Sequence, residues 1–226
     1  MRKKIDRLTI KGFKSIRDLS NFSLGDINIV EDCAYLREDA ANIAPFLKAL
    51  REDGPEGIKS YREIVAAVRL VMPFFDDFAL TPVRFGPAEK VKLTWTQKGT
   101  DYPFQPYHLS DGAIRFICLA TALLQPRPPS TIVIDEPELG LHPQAIAILA
   151  DLIKAASART QVVVATQSPL LVDQFAVGDI VVAKRKDGAT AFERLDEKDK
   201  IGIDKMRAAN PNFDDWLTRL GCNRES

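Results

Sequence analysis

The chain opens with alternating apolar and polar residues, which is the pattern of a β-strand that has one buried face. The alternation over Ile5–Phe13 predicts an edge strand, and a second strand is predicted over Phe22–Val30. Residues 74–95 alternate in a similar way, and Lys98–Asp101 contains the glycine that a hairpin turn favours. These segments predict antiparallel β structure in the first half of the chain.

Two helices are expected between these β segments, because apolar residues recur there at helical spacing. The first covers residues 39–50, and Asn42 is its expected N-cap, since Pro45 is tolerated only in the first turn of a helix. Gly54-Pro55 breaks the pattern, and the second helix is predicted over residues 61–71.

The second half of the chain alternates strands with helices. Ser110 is the expected N-cap of a strongly apolar helix over residues 113–124. After it the pattern predicts a strand over 131–136, a helix over 143–156, a strand over 161–166, and strands over 179–183 and 189–195. This order predicts a parallel sheet. We therefore expect an α/β fold with a mainly parallel sheet flanked by helices, and with an antiparallel β segment in the N-terminal half.

Composition limits the classes of protein that fit the sequence. The 226 residues suit a single domain, which we place over residues 1–195, followed by a polar and irregular tail over 196–226. Lys and Arg balance Asp and Glu at 31 each, so no global field attracts nucleic acid or a membrane. Three cysteines without metal-binding spacing and two histidines argue against a zinc site. No apolar stretch is long enough to span a bilayer, and we expect a cytoplasmic protein.

The strongest chemical signal is a pair of carboxylates at the end of a predicted strand. The apolar, β-prone segment Thr131–Ile134 leads directly into Asp135 and Glu136, and Pro137 then stops the strand. A buried strand that delivers two carboxylates to its C-terminal end is how phosphate-handling α/β proteins hold Mg²⁺ and a base that activates water. The plain alternative is an acidic strand end in contact with solvent.

Three further segments are expected near the same edge of the sheet. Residues 109–112, Leu-Ser-Asp-Gly, open a helix, and the N–H groups and dipole of a helix start attract phosphate. Gln167 ends the strand that follows the carboxylate strand, and residues 139–142 follow the carboxylates directly. Each segment alone also has an ordinary explanation, as an N-cap, a loop or a turn.

One element that would complete a nucleotide site does not occur in the sequence. The chain contains no Gly-x-x-x-x-Gly-Lys-Ser/Thr loop, whose backbone N–H groups cradle nucleotide phosphates. After the strand predicted to end at Val30, the chain continues with Glu31 and Asp32, and two negative charges repel phosphate. The sequence therefore has the carboxylates for nucleotide chemistry but not the loop that would cradle the phosphates.

The order and spacing of the motifs over residues 109–169 are specific when they are taken together. Leu-Ser-Asp-Gly, then Asp-Glu-Pro-Glu-Leu-Gly-Leu-His-Pro, then Ala-Thr-Gln-Ser-Pro resembles the ABC-type ATPases of the RecF, SMC and OLD-like class, often called AAA family ATPases in bacteria. The opening Ile-Lys-Gly-Phe-Lys-Ser-Ile-Arg is similar to the first strand of that class. The resemblance covers about residues 1–30 and 35–195. It implies a P-loop NTPase fold and Mg²⁺-dependent ATP hydrolysis that is coupled to dimerisation.

The resemblance also implies a role for each matching residue. The signature motif, which contacts the γ-phosphate of a nucleotide held by the opposite subunit of a dimer, is matched by Leu109, Ser110, Asp111 and Gly112. Asp135 matches the Walker B aspartate that holds Mg²⁺ through water, and Glu136 matches the base that polarises the attacking water. Gln167 stands at the switch position, and Leu139–His142 match the D-loop that crosses the dimer interface.

The resemblance has one large gap, because the Walker A loop and the Q-loop of that class have no counterpart in this sequence. Three functions therefore stay open: an ATPase impaired by the loss of Walker A, a non-catalytic partner that lends its signature motif to a complete ATPase, or an inactive remnant of a deletion. The implied partner is a second copy of the chain or a complete paralogue, and some relatives meet DNA. DNA repair, phage defence and chromosome maintenance all use this class of domain.

Overall fold

The computed structural model describes residues 7–13, 16–23, 36–85, 88–186 and 189–194. The chain divides after Val164 into two compact units, which are described separately here. The predicted tail over 196–226 and the segment Ile27–Asp32, where the phosphate loop would follow, lie outside the described residues. The prediction of one domain over residues 1–195 stays a prediction.

The first unit begins with an antiparallel strand pair, β1 (Arg7–Phe13) and β2 (Ile16–Ser23). Phe13 pairs with Ile16, so the chain reverses over very few residues. The first predicted strand is confirmed. Of the second predicted strand, only Phe22 and Ser23 lie in β2, and residues 24–30 lie outside the described residues. β2 begins at Ile16, because the early reversal leaves the residues before Phe22 in register with β1.

Residues 75–104 form the antiparallel β segment that the alternating pattern predicts. Its strands are β3 (Phe75–Phe78), β4 (Pro82–Phe85), β5 (Ala88–Val91), β6 (Trp95–Gln97) and β7 (Thr100–Phe104). β3, β6 and β7 form one sheet in that order, and β4 pairs with β5. Gly99, with a φ of 83°, makes the predicted turn between β6 and β7, since glycine enters the left-handed region without strain.

Four helices of the first unit build its core. They are α1 (Ile43–Glu52), α2 (Gly54–Val71), α3 (Asp111–Leu124) and α4 (Pro143–Ser157). α2 packs against the other three helices and against β3. Many of the largest fully buried side chains come from these helices, among them Leu47, Ile64, Phe116, Ile117 and Leu149.

The helix boundaries confirm one sequence prediction and correct another. Asn42 is the N-cap of α1, although its side-chain oxygen accepts a hydrogen bond from the Arg37 N–H (2.8 Å) and does not cap the helix itself. Gly54-Pro55, which was expected to break the helical pattern, lies in the first turn of α2. Proline is favoured there, because the first N–H groups of a helix have no partner within the helix and the fixed φ of proline suits the helix.

The strands β8 (Thr131–Asp135) and β9 (Gln161–Ala165) form a parallel pair, and they occur where the sequence predicts them. Gln161 N donates to the Ser130 carbonyl (3.1 Å), so the two strands start side by side and run in the same direction. The apolar run predicted a buried strand, but one face of β8 is exposed. Val133 is 74% exposed, and Val163 on β9 is 46% exposed.

The second unit contains α5 (Pro169–Val172) and a hairpin of β10 (Val181–Lys186) and β11 (Ala189–Arg194). The sequence pattern placed the strand near 179–183 in the parallel sheet, but among the described strands β10 pairs antiparallel with β11. The α/β fold, with parallel and antiparallel parts, is confirmed.

Arg159 ties the C-terminal end of α3 to the residues that follow α4. Its guanidinium donates to the carbonyls of Leu123 (2.8 Å) and Gln125 (3.0 Å), which have no partner within the helix. We expect Arg159→Met to lower the free energy of unfolding by about 1–3 kcal/mol, because both charge-assisted bonds are lost. Urea denaturation measures the change. Arg62→Met, which removes an exposed arginine from α2, is the control and is expected to change it by less than about 0.5 kcal/mol.

Candidate functional site

The segment Leu109–Gly112 lies at the start of α3, as the sequence predicts. Ser110 is the N-cap, and its hydroxyl oxygen accepts a hydrogen bond from the Ala113 N–H (3.2 Å). Leu109 and Gly112 are buried, whereas Ser110 and Asp111 are exposed. The buried residues therefore anchor the segment, and the exposed ones face solvent at the positive end of the helix dipole.

The structure brings the start of α3 against the turn that follows β8. A Cβ built on Gly112 would lie 2.0 Å from the carbonyl oxygen of Gly140 and 2.8 Å from its carbonyl carbon. Gly140 itself has a φ of 76°, which glycine adopts without strain. Two motifs that are far apart in the sequence are therefore in direct backbone contact.

The two predicted carboxylates stand at the C-terminal end of β8. Asp135 is the last residue of the strand and is exposed, and Glu136 is half-buried. Glu136 has a φ of 44°, and the next two residues, Pro137 and Glu138, are buried. The Leu139 N–H donates to the Glu136 carbonyl (3.3 Å), which closes a tight turn. The end of β8 is therefore a defined turn and not an open strand end.

Arg115 belongs to the same arrangement, although no motif in the sequence points to it. Its Nη1 donates to the carbonyl oxygen of Glu136 (2.9 Å) from the next turn of α3 after the N-cap. The only signal in the sequence is a basic residue within a strongly apolar helix. That signal does not name a partner, because the partner is a backbone atom.

The predicted D-loop residues connect this turn to α4. His142 is the N-cap of α4, with Nδ1 3.4 Å from the N–H of Gln144, which donates to it. Leu139 is 53% exposed, although it is apolar. An exposed leucine beside an exposed histidine suits the interface position that the resemblance implies, and that role stays a prediction.

Gln167 lies just after β9, in the second unit, with its side chain exposed. The hydroxyl of Thr166 accepts a hydrogen bond from the Ser168 N–H (2.9 Å), and Ser168 then caps α5. The strand end predicted for Gln167 is confirmed. Its approach to the carboxylates of the first unit stays a prediction.

The described residues suit a magnesium ion that is also bound by water and substrate phosphates, more than a metal site made of protein ligands alone. Within the described ranges, no group of three His, Cys, Asp or Glu side chains is arranged to hold a metal. Mg²⁺ commonly takes one or two carboxylates together with water and substrate phosphates, so the exposed Asp135 fits this kind of ion. Cys118 on α3 is no rival nucleophile, because burial raises the pKa of its thiol.

A family model described as "AAA domain, putative AbiEii toxin, Type IV TA system" matches residues 9–173 of the chain. No curated protein matches the sequence. Among the helices that the structure describes, none combines the length and the hydrophobicity that crossing a bilayer requires.

Several solved structures of SMC heads are similar in fold. A structure from work on ATP-driven dimerization and DNA-stimulated activation of SMC ATPases has a TM-score of 0.51 and 16% identity, over 73% of this chain and 95% of the other. An Smc head bound to the C-winged helix domain of ScpA has a TM-score of 0.53 and 16% identity, over 76% and 50%. An Smc head from Pyrococcus yayanosii with a coiled coil and joint has a TM-score of 0.50 and 16% identity, over 75% and 34%. This chain therefore spans half or less of the last two, and the likeness shows the fold.

Proposed function

Because the chain belongs to the AAA-domain family whose model matches residues 9–173, and its fold is that of SMC heads, we propose that it is an ABC-type ATPase domain that acts as a dimer. The observation that carries this proposal is the backbone contact between Gly112 and Gly140. In ABC-type ATPases the signature motif and the D-loop both face the opposite subunit. Their direct contact in this chain forms one continuous surface that suits such a partner.

Each predicted residue has a task in this proposal. Asp135 would hold Mg²⁺, which neutralises phosphate charge during hydrolysis when it is bound. Glu136 polarises the attacking water, and the exposed amide of Gln167 donates a hydrogen bond to the γ-phosphate. Ser110 and Gly112 contact the phosphate of a nucleotide held by the partner. We propose ATP as the nucleotide because the family is an AAA-domain family and one relative in fold is an SMC ATPase.

Hydrolysis is expected to be weak, because the sequence has no Gly-x-x-x-x-Gly-Lys-Ser/Thr loop. That loop supplies a ring of backbone N–H donors and a lysine to the phosphates. Losing contacts worth several kcal/mol weakens nucleotide binding by orders of magnitude. We therefore expect ATP hydrolysis to be impaired, because the groups that remain hold the triphosphate less tightly.

A second candidate is a partner subunit that lends residues 109–112 to a complete ATPase. The observation that favours it is the intact start of α3, where the exposed Ser110 caps the helix beside the buried Leu109 and Gly112. An SMC relative dimerises in an ATP-driven manner and is activated by DNA. By analogy, we propose a second ATPase copy as partner and DNA as an effector of the dimer.

Calorimetry with MgATP tests the proposal on the purified chain. We expect weak binding that Asp135→Ala abolishes, because the metal-linked part of the affinity depends on that carboxylate. Asp151→Ala, which removes an exposed carboxylate from α4, is the matched control and should leave the titration unchanged. No binding at millimolar nucleotide would overturn the ATPase proposal. With a stable fold, that outcome favours the partner subunit, and with a low melting temperature it favours a remnant.

A further inference from the structure

Glu136 has a backbone conformation that L-amino acids rarely adopt. Its φ of 44° lies in the left-handed region, where Cβ crowds the following carbonyl oxygen. Among the described residues other than glycine, Ala40 alone shares a positive φ. A strained conformation of this kind persists only where the surrounding contacts hold it.

Two hydrogen bonds converge on the main-chain carbonyl of Glu136. The Leu139 N–H donates at 3.3 Å from within the same turn, and Arg115 Nη1 donates at 2.9 Å from α3. The arginine bond is shorter and charge-assisted, and such bonds are stronger than bonds between neutral groups. Arg115 is therefore a contact that fixes this peptide group from outside the turn.

α3 has a fixed position relative to this turn. The backbones of Gly112 and Gly140 touch one turn of helix before Arg115, so the start of the helix packs directly against the turn. The guanidinium of Arg115 thus reaches the carbonyl of Glu136 from a defined origin, although the side chain is exposed. The same short helix segment carries the predicted phosphate contacts at Ser110 and Gly112.

We propose that Arg115 is a positioning residue that holds Glu136 in its left-handed conformation and so sets the direction of its carboxylate. This inference rests on the proposed role of Glu136 as the base. Side chains of an extended strand point alternately to opposite faces, and a left-handed residue after Asp135 breaks that alternation. Without Arg115, residue 136 relaxes towards negative φ, and the carboxylate turns away from the position that water activation needs.

A stability comparison tests the backbone part of the inference without any nucleotide. Glu136→Gly and Glu136→Ala are each made with Arg115 present and with Arg115→Met. With Arg115 present, Glu136→Gly should be more stable, with an unfolding equilibrium constant roughly tenfold lower, because glycine accepts a positive φ without strain. With Arg115→Met the order should reverse by roughly twofold to fivefold, since alanine restricts the unfolded chain more than glycine does.

Arg127→Met is the control background for this comparison. Arg127 is an exposed arginine that pairs with Asp53 (2.7 Å), a residue far from the turn in sequence and outside the proposed site. The preference for Glu136→Gly should persist in this background. If it also persists with Arg115→Met, residue 136 keeps its conformation without the arginine, and the inference is overturned.

The activity of the full chain gives a second, separable reading. Arg115→Met should lower kcat for ATP by roughly tenfold to a hundredfold with little change in KM, because only the placement of the base is disturbed. Arg115→Lys retains a donor and should restore part of the loss. If the wild-type chain shows no turnover, the proposed function fails, and the stability order still decides whether Arg115 holds the backbone of residue 136. A fall in kcat equal in Arg115→Lys and Arg115→Met contradicts positioning through this hydrogen bond.

Discussion

Gly112→Ala is expected to lower the free energy of unfolding by about 3 kcal/mol or more, and to abolish nucleotide-dependent activity with it. The added Cβ would lie 2.0 Å from the Gly140 carbonyl oxygen, and its neighbours there are backbone atoms. A flexible side chain can turn away from such an overlap, but a backbone carbonyl moves only if the whole turn moves. The start of α3 must then separate from the turn after β8. Urea denaturation measures the stability loss directly.

Two other glycines show whether the loss comes from the contact or from glycine itself. Gly178→Ala adds a Cβ with nothing within 4 Å, so it should change stability by less than about 1 kcal/mol. Gly140→Ala meets Gly112 only at an ordinary 3.5 Å, but its φ of 76° should cost about 1–2 kcal/mol. If Gly112→Ala is no more costly than Gly178→Ala, the backbone contact does not hold the site together.

Glu136→Gln is expected to reduce ATP turnover by at least about a hundredfold, while the folded state is retained. An amide has nearly the shape of the carboxylate, but it does not accept a proton, so the variant removes base catalysis and keeps the turn. The backbone bonds from Arg115 and Leu139 to the residue 136 carbonyl do not involve the side chain and remain. Steady-state phosphate release measures turnover, and a melting curve verifies the fold.

Glu63→Gln is the matched control for this variant, since it neutralises an exposed glutamate on α2. The Oε1 atom of Glu63 lies 3.8 Å from the Nζ atom of Lys59. It should leave turnover unchanged. If Glu136→Gln has little effect in an assembly that hydrolyses ATP, the base belongs to the partner, and this chain contributes only its signature motif. Such a result would favour the second candidate function over the first.

The order of elements was largely predictable from the sequence, and the exceptions have clear local causes. The helix over Asp111–Leu124 and the strands at 131–135 and 161–165 were predicted within a few residues, because caps, prolines and apolar periodicity are local signals. α2 begins earlier than expected, because Gly-Pro can end one helix and can equally stand in the first turn of the next, as Gly54-Pro55 does. The strand near residue 181 was assigned to the parallel sheet from the alternation of strands and helices, but it pairs with β11, which follows it directly in the chain.

In the candidate site, too, some features were predictable from the sequence and others depend on the tertiary structure. The sequence alone identified the family and the residues Ser110, Asp135, Glu136 and Gln167, because motif order and spacing are written along the chain. Their roles, the cytoplasmic location and the consequence of the missing phosphate loop stay predictions. Nothing in that order gave the contact between Gly112 and Gly140, or the bond from Arg115 to the Glu136 carbonyl. Both contacts join a helix to a distant turn, and on the side of the turn each is made by backbone atoms, which every residue type carries. Only the packing of α3 against the end of β8 decides them.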